Sequence, residues 1–553
     1  MENQKRSNNN FIAQAGILAI AGIISRIIGL LYTSPLNAVV GELGLGFYSA
    51  AYGFYTIVLL VSSYSIPAAI SKVIAGKLAV KEYRNAHRFF YGALAYVLVV
   101  GGFASLFLFF GAELFVEKSA VPVLRTFAPT IFIYGILGVL RGYFQAHKSM
   151  VQTSVSQILE QVANAIVSVG GAVLIIIITM GGLAMPKEES DVVRRATAGA
   201  IGGALGTGSG VVVGLLFMLA IYFLNRKMIL KRVERDRHEQ VDSYLSIVKT
   251  ITLVVTPFIL STAVYNLSMA ANNYIYNKAI PSLRDLDTVK RYFNWGIFSA
   301  QSMKVSNIPI AFATAMATAM LPAVAQMVAA NQIEEAKEKI GSAIKTTMII
   351  SIPCAAGLFA LAKPIMYFLF FRSGEVLDLS AKLLMVLSVS VIFYALSTLS
   401  SQILQGLGKL NAPIINAGIA LVAQTVVALV LLLFTNLDLY SMAIVNTFYA
   451  ALMCILNQWS VRKAIGYKQE IVKTFLIPVA CSVLMGVASF LTYQGLYFVT
   501  KSMRIALIPA VFVGMVVYFV LIILLKGMDE TEMRGLPKGY LLVKIAKKCR
   551  LLK

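Results

Sequence analysis

Ala21-Gly-Ile-Ile-Ser-Arg-Ile-Ile-Gly-Leu-Leu-Tyr-Thr33 is an apolar run with a single arginine inside it. The run belongs to a longer apolar segment that begins near Phe11, so Arg26 lies about 15 residues, or ~22 Å of helical rise, from that start. That depth is within a bilayer. A charge placed there costs roughly 2.5–3.5 kcal/mol on insertion scales, and it survives by facing a partner or a water-filled cavity. On a helix, Gly22, Ser25, Gly29 and Thr33 share the arginine's face, while Ile23, Ile24, Ile27, Leu30 and Leu31 cover the rest. Two readings follow: a cation lining a cavity, or a side chain snorkelling to the outer interface. The depth and the small neighbours favour the cavity.

The composition supports a membrane setting. Of 553 residues, 58% are hydrophobic and 13% charged, and the mean hydropathy is +0.79, far from the balance of a soluble globule. A formal net charge of +23 invites a nucleic-acid reading, but the basic residues sit in short loops between apolar runs and form no separate basic domain, so no nucleic-acid partner is expected. The four cysteines, Cys354, Cys454, Cys481 and Cys549, are scattered singly and show neither a disulfide framework nor a metal spacing. The polar, basic first ten residues precede a segment too long for a signal-peptide core, which reads as a retained first span.

Segments of spanning length fall at 11–34, 44–71, 87–112, 121–146, 150–179, 197–223, 245–274, 294–328, 342–362, 381–406, 411–434, 439–460, 474–498 and 504–526, which predicts an all-α polytopic membrane protein with fourteen helices. The loops on the side shared by both termini hold most of the Lys and Arg, so both termini are expected in the cytoplasm. These basic loops also suit contact with anionic membrane phospholipids. Two echoes suggest an internal repeat. Pro67-Ala-Ala-Ile-Ser-Lys leads into Lys81-Glu-Tyr-Arg-Asn-Ala-His, as Pro322-Ala-Val-Ala-Gln-Met leads into Glu335-Ala-Lys-Glu-Lys. Phe144-Gln-Ala-His-Lys148 is matched by Leu404-Gln-Gly-Leu-Gly-Lys409. Both pairs are roughly 255–260 residues apart. Chance likeness between apolar sequences is the rival explanation. On the repeat reading the chain divides into an N-lobe of six helices (1–224), a basic linker (225–244), a C-lobe of six helices (245–460), two further helices (461–526) and a basic tail (527–553). Transporter logic then puts the substrate between pseudo-symmetric lobes, with alternating access.

That picture asks for a second cation, and Lys304 lies ~13 Å of helix from Trp295, while Arg26 is ~12 Å from Ser34. Gln301 and Asn307 share the face of Lys304, and Pro309 weakens the helix there. Thr262, Asn266 and Asn273 form a polar stripe on the seventh helix. The expected substrate site is therefore Arg26, Lys304, Gln301, Asn307, Asn266 and Asn273 converging on one hydrated cavity. A basic cavity with few acids suits an anionic substrate, in particular a diphosphate held by charge-assisted hydrogen bonds. Glu160, the one carboxylate well inside a span, can meet Arg141 across the hairpin at Lys148, either as a structural pair or as a site for a coupling ion or proton. No nucleotide-binding loop, zinc-protease motif, nucleophile elbow or Cys/His cluster occurs, which argues against an enzyme, a metal or a cofactor.

Ser25-Arg-Ile-Ile-Gly29, Ser65-Ile-Pro-Ala-Ala-Ile-Ser-Lys72 and Leu140-Arg-Gly-Tyr-Phe-Gln-Ala-His-Lys-Ser-Met150 running into Ser156-Gln-Ile-Leu-Glu-Gln161 carry a resemblance over nearly the whole chain. It resembles the MurJ-type lipid II flippases and stage V sporulation protein B relatives of the multidrug/oligosaccharidyl-lipid/polysaccharide exporter superfamily. The resemblance implies fourteen helices in two pseudo-symmetric lobes, a cationic central cavity, and a lipid groove formed with the last two helices. It also implies a bacterial cytoplasmic membrane and a polyprenyl-diphosphate-linked glycan lipid as the partner. Arg26 matches the family's first-helix arginine. Lys304 falls where Gram-negative members have an arginine, and Tyr32 stands where those members have a second one. The function expected is translocation of undecaprenyl-diphosphate-linked peptidoglycan precursor; the alternatives are export of another polyprenyl-linked polysaccharide precursor, or cation-coupled drug export.

Overall fold

The computed structural model describes residues 21–22, 24–64, 66–147, 149–236, 241–281, 287–530, 533 and 539–548, and among them there is no strand. Helix α1 (24–31) passes through Tyr32 into α2 (Thr33–Leu59), which bends sharply at Gly41. The φ of 76° and ψ of 172° at Gly41 belong to a region that a residue without Cβ enters freely. The connection expected between the first two spans thus shrinks to one glycine.

Proline decides where the helices widen. Wide π-helical turns at Leu60–Tyr64, Ile275–Ala279 and Val472–Leu476 end just before Pro67, Pro281 and Pro478. A proline ring lacks an N–H and presses on the carbonyl four residues back. Those carbonyls belong to Ser63, Asn277 and Thr474, all inside the wide turns, where the added residue carries them off the ring. Pro309 behaves otherwise. Helix α10 (Met303–Ala329) runs through it, and the irregular stretch expected there lies upstream, at Ile297–Ser302.

Eleven helices among the described residues are long and apolar enough to cross a membrane. Two other expected spans are also helical, α8 (Tyr244–Tyr274) and the run from Ile297 through α10. The remaining one, 11–34, begins outside the described residues. The architecture is therefore consistent with fourteen helices.

The chain separates into two units, Met1–Gly296 and Ile297–Lys553. This differs from the expected division at 224 and 245. Residues 225–234 are the last turns of α7 (Glu189–Glu234), a 46-residue helix with Glu189 and Asp191 in its first turn and Lys231 and Arg232 in its last, charges that suit the helix dipole. Helix α8 is tied to the first unit by hydrogen bonds: Asn273 Nδ2 donates to the Ala50 carbonyl at 2.9 Å, and beyond the helix Lys278 Nζ donates to the Glu113 and Leu114 carbonyls at 2.6 and 3.0 Å. Small residues complete the junction. A Cβ on Gly46 would collide with the Tyr292 carbonyl, and one on Gly296 with the Glu42 carbonyl, so α2 and α9 (Thr288–Gly296) meet backbone to backbone.

Within the first unit, α3 (Ile66–Ala79), α4 (Tyr83–Phe110) and α5 (Val121–Ala146) enclose a core containing Ile70, Phe90, Leu137 and Met218. Helix α6 (Met150–Met180) lies along α7 through a stripe of small residues. Gly202 meets Ala172, Gly206 meets Ser168, and Gly210 meets the Glu160 carbonyl, each too closely for a Cβ. Such spacing lets two membrane helices approach closely, so that dispersion and weak polar contacts hold them together.

The second unit repeats the local plan. Helices α10, α11 (Ile333–Ala360), α13 (Gly374–Gly406) and α15 (Leu439–Ile465) share a core around Val324, Ile344, Leu399 and Val461. The turns match too. In the first unit Lys81 has a positive φ and Glu82 N–H bonds the Lys77 carbonyl at 2.9 Å; in the second, Asn331 and the Gln332 to Met327 bond do the same at 2.9 Å. The second hairpins agree as well, through Ser149 N–H to Phe144 O and Lys409 N–H to Leu404 O. Residues 461–526, expected to stand apart from the lobes, pack within this unit. Helices α16 (Ile477–Thr500) and α17 (Met503–Leu524) reach α11, where the Tyr518 hydroxyl donates to the Ile349 carbonyl at 2.7 Å. The terminal helix Gly539–Lys548 adds Val543 and Ala546 to the same cluster.

The glycine stripe gives the first test. Gly206→Val should lower stability by about 1–3 kcal/mol through overpacking, read as a lower thermal-unfolding midpoint of the detergent-purified protein. Gly182→Val, where nothing lies within 4 Å, should leave the midpoint unchanged.

Candidate functional site

Arg26 is exposed on α1 and makes no ion pair with a described residue. Its small neighbours behave as two groups. Gly22 has open space around it, whereas Gly29 faces Gln161 of α6 and its carbonyl accepts the Thr33 hydroxyl at 2.8 Å. The buried Ser25 hydroxyl has no hydrogen-bond partner among the described residues. Tyr32, one turn on, is hydrogen-bonded to Tyr48 and Asn164. The arginine thus stands where the helix passes from an open surface to a polar interior.

That interior is built around an ion pair. Arg141 Nη2 lies 2.7 Å from Glu160 Oε2, and Arg141 Nε donates to Ser156 Oγ at 2.8 Å; the side chains are 4% and 15% exposed. Arg141 comes from α5, while Ser156 and Glu160 are one turn apart on α6. Gly210 and Gly214 of α7 cover the pair, since a Cβ on Gly214 would sit 3.6 Å from Arg141 Nη2. The glycine stripe that brings α6 and α7 together therefore also makes room for two charges. A wall of Tyr48, Tyr52, Tyr55 and Phe127 rings stands in the same unit, with centroids 4.9–5.9 Å apart. The sequence reading missed this role of the glycines, although Gly202, Gly206, Gly210 and Gly214 recur at four-residue spacing, the signal that marks a close helix crossing.

The second unit treats the corresponding positions differently. Some 260 residues after Arg141, Ser156 and Glu160 stand Ser401, Asn416 and Ala420. Here Asn457 Nδ2 donates to Ser401 Oγ at 2.9 Å, and Asn416 Nδ2 donates to Asn457 Oδ1 at 2.9 Å and to Ser460 Oγ at 3.0 Å. The same framework carries a charged pair in one unit and a neutral amide network in the other.

The expected substrate residues are distributed as follows. Gln301 is buried in the π-helical stretch, Lys304 is half-buried at the head of α10, and Asn307 is exposed, so their stripe runs from interior to surface. The stripe is anchored by Ser302, whose hydroxyl donates to the Ser380 carbonyl at 2.9 Å. Asn273 is buried and spends its amide on packing, donating to Ala50 and accepting from Asn277 Nδ2 at 2.8 Å. The Asn266 side chain lies outside the described residues. No group of three or more His, Cys, Asp or Glu able to hold a metal occurs among the described residues.

Residues 77–509 match the family model described as lipid II flippase MurJ. The chain is 26% identical over 493 residues to the lipid II flippase MurJ of Bacillus subtilis (strain 168), covering 85% of this chain and 86% of that one. It is 22% identical over 540 residues to stage V sporulation protein B of the same organism, covering 96% and 98%. A solved structure of lipid II flippase MurJ in an inward closed conformation superposes with a TM-score of 0.63 at 15% identity, over 91% of this chain and 97% of that one. At that identity the superposition carries the fold.

The ion pair yields a test that separates a structural role from a coupling one. Removing one partner leaves a buried charge, so Glu160→Leu or Arg141→Met alone should each destabilise by about 3–5 kcal/mol, while the double variant should recover most of the loss. A double variant that is stable and still complements assigns the pair to structure. One that is stable but inactive assigns it to coupling.

Proposed function

Because the chain belongs to the lipid II flippase MurJ family, we propose that it moves lipid II, the undecaprenyl-diphosphate-linked peptidoglycan precursor, across a bacterial cytoplasmic membrane by alternating access. It is a multi-pass membrane transporter and not an enzyme, since the family match covers residues 77–509. That match is the observation on which the reading rests.

The diphosphate is assigned to Arg26 in the first unit and Lys304 in the second, with Gln301 and Asn307 beside Lys304 and Asn266 as a further polar contact; Asn273, committed to Ala50 and Asn277, is left out of the assignment. Arg26 supports its assignment by being exposed without an ion pair to a described residue. Lys304 supports it by its position directly after an irregular helical stretch, a feature that recurs at functional sites. A guanidinium binds two phosphate oxygens at once, whereas an ammonium acts as a compact point charge. Both termini and the basic loops are assigned to the cytoplasm from the Lys and Arg bias.

A second reading, transport of a different polyprenyl-linked glycan, draws support from the stage V sporulation relative, which aligns with 96% of this chain against 85% for the flippase relative. Depletion separates the two. The proposal expects lipid II to accumulate in the inner leaflet and its outer exposure to fall; unchanged lipid II exposure with accumulation of another polyprenyl-linked glycan decides for the second reading.

Losing one charge-assisted contact of about 1.5–3 kcal/mol weakens binding roughly 10- to 150-fold. Arg26→Ala should therefore abolish complementation at normal membrane levels, Arg26→Lys should retain partial activity, and Lys304→Arg should be tolerated. Normal growth of an Arg26→Ala, Lys304→Ala double variant as the sole flippase would overturn the site assignment. Cysteines placed at 187–191 should label from outside the cell, and those at 226–236 only after permeabilisation.

A further inference from the structure

At the basic end of the first unit a cavity of about 250 Å³ lies among the end of α3, the start of α4, the α5–α6 hairpin and the last turns of α7. Phe144, Met228 and Ile229 form part of its wall, and Tyr143, His147 and Arg232 give it polar character; among the described residues no carboxylate lines it. Three of the acids nearby in the sequence are engaged. Glu82 and Asp242 both pair with Lys77, and Asp236 accepts the backbone N–H of Arg84 at 2.7 Å. The cavity therefore has a net positive lining.

Three details point to an anion. First, Tyr143 is 3% exposed and lines the cavity, and its hydroxyl makes no hydrogen bond to a described residue. A hydroxyl open to the cavity is a donor that an incoming acceptor can use. Second, His147 Nδ1 is 2.9 Å from the Tyr143 carbonyl, which holds the ring at the cavity wall; its other nitrogen donates to an anion when the ring is protonated. Third, α6 begins at this wall. Its N-cap Ser149 donates to Gln152 Oε1 rather than accepting a first-turn N–H, so no side chain caps the positive end of a 31-residue helix.

We propose that this cavity binds a single phosphate group, supplied by the headgroup of an anionic phospholipid or by free phosphate, and that Arg232 and the Tyr143 hydroxyl hold it. The volume lies below the ~300–1,000 Å³ of usual ligand pockets and has room for one phosphate group. The site is separate from the residues assigned to the transported lipid. Basic pockets between membrane helices near the cytoplasmic surface are a recurrent form of headgroup recognition.

The test uses the full-length protein in a neutral detergent, with thermal unfolding followed as a function of added probe. Short-chain phosphatidylglycerol should raise the unfolding midpoint saturably, and short-chain phosphatidylcholine should not. If inorganic phosphate reproduces the rise, the ligand is free phosphate; if only phosphatidylglycerol does so, it is the lipid headgroup. Arg232→Gln should weaken the apparent affinity about ten-fold and Tyr143→Phe about five-fold, as expected for a charged and a neutral hydrogen bond. Tyr143→Phe removes only the hydroxyl, so it guards against a folding defect in the other variant. Arg26→Ala should leave the response intact, which keeps this site distinct from the transport assignment. No response to either anion, or an undiminished response in both Arg232→Gln and Tyr143→Phe, overturns the proposal.

Discussion

In hydrocarbon every backbone N–H and C=O must find its partner inside the protein, because no water is there to supply one. That demand explains why helices dominate the chain, and it also explains how they deviate. Where proline removes a donor, at Pro67, Pro281 and Pro478, the preceding turn widens instead of breaking. Where the chain must turn abruptly, at Gly41, a residue without a side chain takes the conformation. Even the serines and threonines follow this logic, since many return their hydroxyls to the carbonyl one turn back, as Thr33, Ser62 and Thr347 do.

The same constraint governs charge. A buried guanidinium needs acceptors: Arg141 has Glu160 and Ser156, and Arg195 has the Val39 and Leu183 carbonyls. Gly214 of α7 lies against the pair, and Gly210 lets α7 approach the Glu160 backbone carbonyl too closely for a Cβ. In the second unit the corresponding framework is held by Asn416, Asn457 and Ser401 without any charge. An internal repeat can thus keep its turns and packing while one copy acquires a charged pair. The asymmetry confines this buried charge pair to the first unit.

Transport by this family asks a membrane protein to be stable in more than one arrangement, and the local construction is compatible with that. The stripes that hold α6 against α7 rely on small residues and close backbone approach, contacts that depend on shape. The polar ties, such as Lys77 with Asp242 and Glu82 at the foot of α8, lie near the basic end of the first unit, where charges are exposed enough to exchange partners for water.

Hydropathy alone determined the helical membrane class and the positions of nearly all the spans, because about twenty apolar residues in a row have one stable solution in lipid. The repeat was legible from Pro67 and Pro322 and from Phe144 and Leu404, since turns at helix ends need particular residues at particular places. The possible meeting of Arg141 and Glu160 was legible too, because a short hairpin leaves few options for two charges on adjacent helices. What only the tertiary structure decided were the close approaches and the allegiances of helices. That α8 belongs with the first unit depends on Asn273 reaching the Ala50 carbonyl and on Gly46 meeting Tyr292, contacts between residues more than two hundred positions apart. Nor did periodicity distinguish Asn273, committed to packing, from Asn307, exposed on its helix. Amide side chains look alike in sequence, and only the neighbours brought by folding fix which hydrogen bonds remain available.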